Sequence, residues 1–252
     1  MATIPGGSFN TDNIDHQVVQ GSDGGDQFMM SHNYDTMIAG TGDDFFSLSG
    51  HHEHVEAGGG SDMIMAMGHN DYLDGGAGDD YMQSFGTGND TMLGGEGNDT
   101  LIASGGHNFL SGGTGDNYLE GGSGNDTLLA GGGGHDTLVA GSGNELMIGG
   151  SGSTIMESGS GNDTMIGGSG YDRFEFHSDG GQNVVMGFHD GDMLQVDRGI
   201  NGLNINSAED VAAHVTDVHG NAVIQLGQET ITLVGIKAED IHNNPSGYFQ
   251  VH

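Results

Sequence analysis

An apolar residue recurs at every ninth position, and two places before it stands a residue that is Asp in twelve of seventeen cases. Dividing the chain from Gly21 gives nonapeptides starting at 21, 30, 39, 48, 57, 66 and 75. After one extra residue, Ser84, they start at 85, 94, 103, 112 and 121. After a second, Ala130, they start at 131, 140, 149, 158 and 167 and end at Glu175. The eighth position, from Phe28 to Phe174, is apolar in every unit. The sixth departs from Asp only at Glu53, Glu145, Asn108, Asn117 and Thr154. Random low-complexity sequence would not keep two registers of opposite polarity over this length, which argues against disorder and for a repeat architecture.

Composition restricts what can hold such a repeat together. The 252 residues carry 3 Lys+Arg against 36 Asp+Glu, a formal charge of −33, with 52 glycines and no cysteine. Nucleic acid and anionic membranes are poor partners for that charge. Apolar content of 33% is low for one conventional core of this length, and glycine loses the most backbone freedom on folding. Something besides apolar burial is therefore expected to stabilise the chain. No apolar run approaches the roughly 18 residues of a membrane span, and MATIPGGSFN lacks the basic and apolar regions of a cleaved signal peptide. The missing cysteines say only that no disulfide is used.

GGEGNDTLI (Gly94 to Ile102) is a clean copy of the unit, and the pattern resembles the GGxGxDxUx repeat of the RTX (repeats-in-toxin) proteins. The resemblance implies an all-β fold: a right-handed parallel β-roll solenoid in which two nonapeptides make one turn. Local physics agrees. Glycines permit the positive-φ turns of a tight loop, and the x-U-x segment turns its middle side chain inward as a strand does. Units two apart would stack at about 4.8 Å, and roughly eight and a half turns would form a rod of roughly 40 Å.

Stacking sorts the sixth positions into two columns. One edge carries Asp26, Asp44, Asp62, Asp80, Asp99, Asn117, Asp136, Thr154 and Asp172; the other carries Asp35, Glu53, Asp71, Asp90, Asn108, Asp126, Glu145 and Asp163. Carboxylates about 5 Å apart repel by roughly 3 kcal/mol per pair at an effective dielectric near 20. A bound cation is the natural remedy. All-oxygen side chains, supplemented by loop carbonyls, suit Ca²⁺ ahead of Mg²⁺. The resemblance implies multiple calcium ions held between stacked loops, and folding only once calcium is present. The expected ligands are Asp26, Asp35, Asp44, Asp62, Asp71, Asp80, Asp90, Asp99, Asp126, Asp136, Asp163 and Asp172. The fourth position is glycine throughout the first edge, whereas the second edge begins Asn33, His51, His69. The best sites are therefore expected between Asp26 and Asp99 on the first edge, with weaker ones at Asn117 and Thr154.

LSGHHEHVE (Leu48 to Glu56) looks at first like a zinc-protease motif, but its second histidine would have to stand at position 56, which is Glu. The stretch is instead the fourth nonapeptide, with Glu53 in the acidic slot and Val55 inward. His51 and His69 fall at the same loop position one turn apart, with His32 and His52 on the same edge. A secondary site for Zn²⁺ or a similar ion at His51, His52 and His69, a pH-sensitive edge, and solvated stacked histidines are the three readings.

The period stops after Glu175. Residues 176–252 read as a small C-terminal β-rich cap with one short helix from Ser207 to about Val215, and a hairpin of AVIQL and TITLV across Gly227 to Glu229. YDRFEF before this block and GIKAEDI within it resemble the C-terminal cap of RTX proteins exported by type I secretion, and the tail Tyr248 to His252 loosely resembles the export signal. The expected domains are thus 1–20, a strand or plug including HQVVQ; 21–175, the β-roll; and 176–252, the capping and signal-like domain.

No G-x-S-x-G, Walker loop or cysteine nucleophile is present, and the only Lys and Arg residues are Arg173, Arg198 and Lys237. The chain is read as no enzyme. Two functions remain: a secreted structural, matrix or biofilm protein that calcium folds and that self-assembles head to tail, and a calcium-dependent carbohydrate-binding or adhesion module using Phe45, Tyr81 and Tyr118. Its partners are calcium ions, copies of itself or extracellular polysaccharide.

Overall fold

The structure, a computed structural model, describes residues 8–10, 15–178 and 180–252; the remainder of the expected segment 1–20 lies outside the described residues. Each x-U-x segment forms a short strand, because three extended residues between glycine-rich turns leave one side chain facing in and two facing out. Strands of alternate units pair in parallel, so the chain coils as a β-solenoid of about ten turns. One sheet has twelve strands, from Ser8–Asn10 to Phe249–Val251, and the other has thirteen, from Val18–Gln20 to Val215–Val218. A narrow third sheet of four two-residue strands, including Gly105–Gly106 and Ser160–Gly161, joins successive loops of the second edge.

Like positions stack on like. Phe28 opposes Phe46, which opposes Ile64, which opposes Met82; Met37, Val55, Leu73 and Met92 do the same in the other sheet. All seventeen eighth-position side chains are fully buried, each such burial contributing about 1.5–3 kcal/mol. The rings of Phe28 and Phe46 lie face to face, with centroids 4.6 Å apart, as in-register neighbours on a sheet must.

The two extra residues are absorbed inside loops rather than between units. Ser84 opposes Ala66 and Ala103 and is buried, so it takes the first position, and Phe85 is turned outward. Gly131 opposes Gly113, which puts Ala130 in the first position and the extra residue within the following glycines. The strand register is thereby preserved.

Parallel stacking also runs beyond the periodic units at both ends. Val18–Gln20 pairs with Thr36–Ile38 and buries Val19. Past Glu175, Gln182–Met186 and Met193–Val196 continue the two sheets, and Glu229–Leu233 and Phe249–Val251 add a strand to each. The thirteen-stranded sheet then ends in antiparallel strands, Asn221–Leu226 and Val215–Val218, the expected hairpin forming one side of this meander. The C-terminal block holds two short α-helices rather than one. Ala208–Ala212 starts from a reciprocal Ser207/Asp210 capping box, whereas Ala238–Asn243 follows Lys237 without a side-chain cap. No helix among the described residues is long and apolar enough to cross a membrane.

Candidate metal centre

The sixth-position side chains face inward beside the apolar rib, and all seventeen are only 0–3% exposed. What holds them there is a hydrogen-bond ladder between turns. On the first edge the N–H of Asp26 donates to Asp44 Oδ1, that of Asp44 to Asp62 Oδ1, that of Asp62 to Asp80 Oδ1 and that of Asp80 to Asp99 Oδ1, at 2.5–2.9 Å. On the second edge the N–H of Asp35 donates to Glu53 Oε2 at 3.2 Å, that of Glu53 to Asp71 Oδ1 at 2.8 Å and that of Asp71 to Asp90 Oδ1 at 2.8 Å. The ladders outlast the nonapeptides: Asp163 N–H donates to Asn183 Oδ1 and Asp172 N–H to Asp192 Oδ1, both at 2.9 Å.

From Asp35 to Asp172 the ladder occupies one oxygen of each carboxylate except Glu145. The other oxygen is buried without a hydrogen-bond partner in Asp35, Asp44, Asp62, Asp71, Asp80, Asp99, Asp126, Asp136, Asp163 and Asp172. Two of the expected ligands differ, because Asp26 Oδ2 accepts from Ser22 N–H at 2.7 Å and Asp90 Oδ2 accepts from the Ser84 hydroxyl. Two residues outside the expected set behave like the ten: Glu53 Oε1 and both Glu145 oxygens are buried and unpartnered. Their signal was present in the sequence as acidic residues at the sixth position, with one methylene more.

Among the described residues no ion pair reaches the sixth-position carboxyls from Asp26 to Asp172; nearby histidines lower Asp71, Asp126 and Asp172, but less than burial raises them. Burial in such surroundings disfavours the charged form. It pushes Glu53 up to about 8, with Asp35 and Asp71 adding repulsion, and Asp80 up to about 7. Burial likewise raises Asp62, Asp71, Asp99, Asp126 and Asp172 to about 6. Glu145, beside Asp163, is raised as well. Buried carboxylate oxygens without a partner cost several kcal/mol unless a cation or a proton meets them. The donor set is all oxygen, which fits a hard divalent ion with many ligands.

Glycine makes the corners possible. Gly113 and Gly115, at the second and fourth positions, have φ of 100° and 110°, left-handed values that a β-carbon disfavours. At Gly94 a β-carbon would collide with Asp99 Oδ2 and the Gly112 carbonyl. The paired left-handed glycines run from Gly58 and Gly60 on the first edge and recur on the second edge from Gly122 and Gly124. The loops around Gly24 and Gly42 do not share them.

The histidine stretch builds a different corner. Tyr34, His52 and Asn70 at the fifth position take left-handed φ of 60–62°, and the rings of His16, Tyr34 and His52 stack in sequence at 4.8 and 4.7 Å. His51 and His69 stack at 4.6 Å with planes 6° apart. Lone pairs in the planes of parallel rings run alongside one another instead of converging, so the expected zinc set of His51, His52 and His69 is not assembled. Three ligand atoms do come within 4.8 Å of one another elsewhere, at Glu157, Glu175 and His177 and at Asp172, His189 and Asp192.

Comparison with known proteins agrees with this geometry. The family described as RTX calcium-binding nonapeptide repeat (4 copies) matches at residues 35–64, 48–82, 86–119, 102–133, 128–156 and 155–174, more than half of the chain. No curated protein matches significantly. Among solved structures, the extracellular lipase LipA from Serratia marcescens aligns at 17% identity with a TM-score of 0.30, over 74% of this chain and 39% of the lipase, a likeness too low to bear on activity. The chain belongs to the RTX calcium-binding nonapeptide repeat family, and it is a calcium-binding β-roll.

Proposed function

We propose that this protein is secreted, folds on meeting extracellular calcium, and serves a non-enzymatic structural, matrix or cell-surface role. The observation that carries the reading is the pair of columns of buried carboxyl groups, in which ten aspartates together with Glu53 and Glu145 keep an oxygen that no hydrogen bond meets. Asp26, Asp35, Asp44, Asp62, Asp71, Asp80, Asp90, Asp99, Asp126, Asp136, Asp163 and Asp172 would hold the ions with loop carbonyls. Glu53 and Glu145 join them. Bound calcium would supply the positive charge the columns lack. The chain's own part is to aim the orphan oxygens into glycine corners while the ladder oxygens fix the turn-to-turn register. A calcium-poor compartment would leave the columns unneutralised, which suits export before folding; the Phe249–Val251 strand would belong to the export-competent tail.

Calcium titration of the chelated chain, followed by circular dichroism and hydrodynamic size, tests this. A gain of β signal with compaction at millimolar calcium is expected; a chelated sample already as compact and heat-resistant as the loaded one would overturn it. Head-to-tail stacking of rolls is the proposed form of assembly, checked by sedimentation with and without calcium.

One observation favours a carbohydrate-binding role instead. Phe45, Tyr81 and Tyr118 lie in a single outward row, separated by Met63 and Thr100 in the strand register. Binding of calcium-loaded monomers to a glycan array, lost on replacing Tyr81 and Tyr118, would establish that role over the structural one.

A further inference from the structure

The first column ends differently from the way it repeats. Asp192 Oδ1 accepts the Asp172 N–H at 2.9 Å as every rung does, but the Asp192 loop closes on a histidine. His189 N–H donates to Asp192 Oδ2 at 2.9 Å, and Asp192 N–H donates to the His189 carbonyl at 3.1 Å. The imidazole is fixed at both nitrogens. Nε2 lies 3.0 Å from the Gly168 carbonyl, which can only accept, so Nε2 carries the proton. Nδ1 faces Asp192 Oδ2 at 3.3 Å, so either a second ring proton or a metal ion lies between them. Asp172 adds a third donor, because its Oδ2 is buried and unpartnered and Asp172 itself is 1% exposed.

We propose that Asp172, His189 and Asp192 form a site for a borderline divalent ion of the Zn²⁺ type, chemically distinct from the all-oxygen corners below it. The three ligand atoms lie within 4.8 Å of one another, a span that metal bonds of about 2.0–2.2 Å approach with small side-chain adjustment. One imidazole nitrogen and two carboxylates make a mixed donor set that imidazole shifts away from calcium toward zinc. The Nε2–H bond to the Gly168 carbonyl is the outer-shell contact that orients a ligating histidine. His189 is exposed and the two aspartates are buried, so the site is open to solvent on one side only. It ties the Phe188–Asp192 loop to the preceding turn, where Phe188 packs between Phe174 and Tyr248.

The site takes Asp172 from the end of the calcium column but does not depend on calcium occupying the corners below it, and its test keeps the two apart. The full chain in saturating millimolar calcium is dialysed against Zn²⁺ at low micromolar concentration, and bound zinc is counted for wild type, His189→Gln, Asp192→Asn and His177→Gln. Wild type and His177→Gln are expected to retain one equivalent that His189→Gln loses. Asp192→Asn, which preserves the acceptor for Asp172 N–H, is expected to bind more weakly by at least the ~10–100-fold that outer-shell changes already cause. Equal zinc on His189→Gln and wild type, or no zinc on wild type, overturns the proposal. The calcium-induced circular dichroism change is recorded on the same samples, so failure of calcium-driven folding registers separately from failure of the zinc site.

Discussion

The backbone N–H of Asp62 donates to Oδ1 of Asp80 at 2.8 Å, one turn further on, while Oδ2 of Asp80 is buried with no partner. One side chain thus supports the fold with one oxygen and opposes it with the other. Whether the corner stabilises or destabilises depends on what meets Oδ2.

Asp80→Asn separates the two effects. Asparagine keeps the ladder acceptor and puts an amide where the orphan oxygen stood, as Asn108 already does: its Nδ2 donates to the Gly105 carbonyl at 3.1 Å. Removing a buried, unsatisfied acceptor is expected to stabilise the calcium-free chain by about 1–3 kcal/mol. The same change removes a ligand charge, so the calcium-saturated protein is expected to lose stability. Circular dichroism of the chelated chain, where the variant should hold more β signal than wild type, and denaturant melts in calcium check the opposite signs; a loss under both conditions would show that the ladder, not the orphan oxygen, dominates.

Protons compete with calcium for the same oxygens. Folded-state values near 8 for Glu53, 7 for Asp80 and 6 for Asp62, Asp71, Asp99, Asp126 and Asp172 exceed the ordinary 3.8–4.5 of these groups. The calcium-free fold therefore binds more protons than the unfolded chain, and its stability rises as pH falls. That gain develops as pH drops through about 8 to 6 and is complete only below the unfolded values. Circular dichroism of chelated protein between pH 8.5 and 5 should show β signal gained on acidification, and calcium affinity should fall over the same range.

The nine-residue period located both inward columns because the sixth and eighth positions are buried together, one apolar and one carboxylate, and both leave a fixed mark on the sequence. A fixed period loses the columns where the loop length changes. Asp172 to Asp192 and Asp163 to Asn183 are 20 residues apart, whereas most earlier rungs are 18. Counting by nine leaves Ser84 between units for a related reason: only strand register, which sets Ser84 opposite Ala66 and Ala103, assigns it rather than Phe85 to the first position. The second helix begins after Lys237, which offers no side-chain cap and so no start signal. His189 carries no sequence signal of its own, because its partners lie 3 and 17 residues away, a spacing that matches no metal motif.

Glycine should matter by place rather than by number. Gly115 has φ of 110°, and a β-carbon there would strike the Gly97 carbonyl of the turn below; Gly133 has φ of 76° with nothing within 4 Å of that position. Gly133→Ala should cost only the left-handed strain, about 1–2 kcal/mol. Gly115→Ala must also push two turns apart, so its cost should exceed that clearly. Calcium-saturated denaturation of the two variants measures the difference, and equal losses would mean that the turn-to-turn approach at Gly115 is looser than described.

The apolar rib should behave as a chain of nearest neighbours. Leu110 is fully buried and opposes Met92 on one side and Leu128 on the other, so Leu110→Ala opens a cavity between two turns and should cost about 2–5 kcal/mol. Val19, 7% exposed, has a described strand neighbour on one side only, Met37, and Val19→Ala should cost less. In a solenoid each turn contacts only the next, so a weakened centre can also uncouple the two halves. Calcium-loaded Leu110→Ala is therefore expected to unfold in a broadened or two-step transition, with backbone hydrogen exchange accelerated first in the turns flanking Leu110. A single sharp transition with uniformly faster exchange would mean that the roll is one cooperative unit and that coupling extends well beyond adjacent turns.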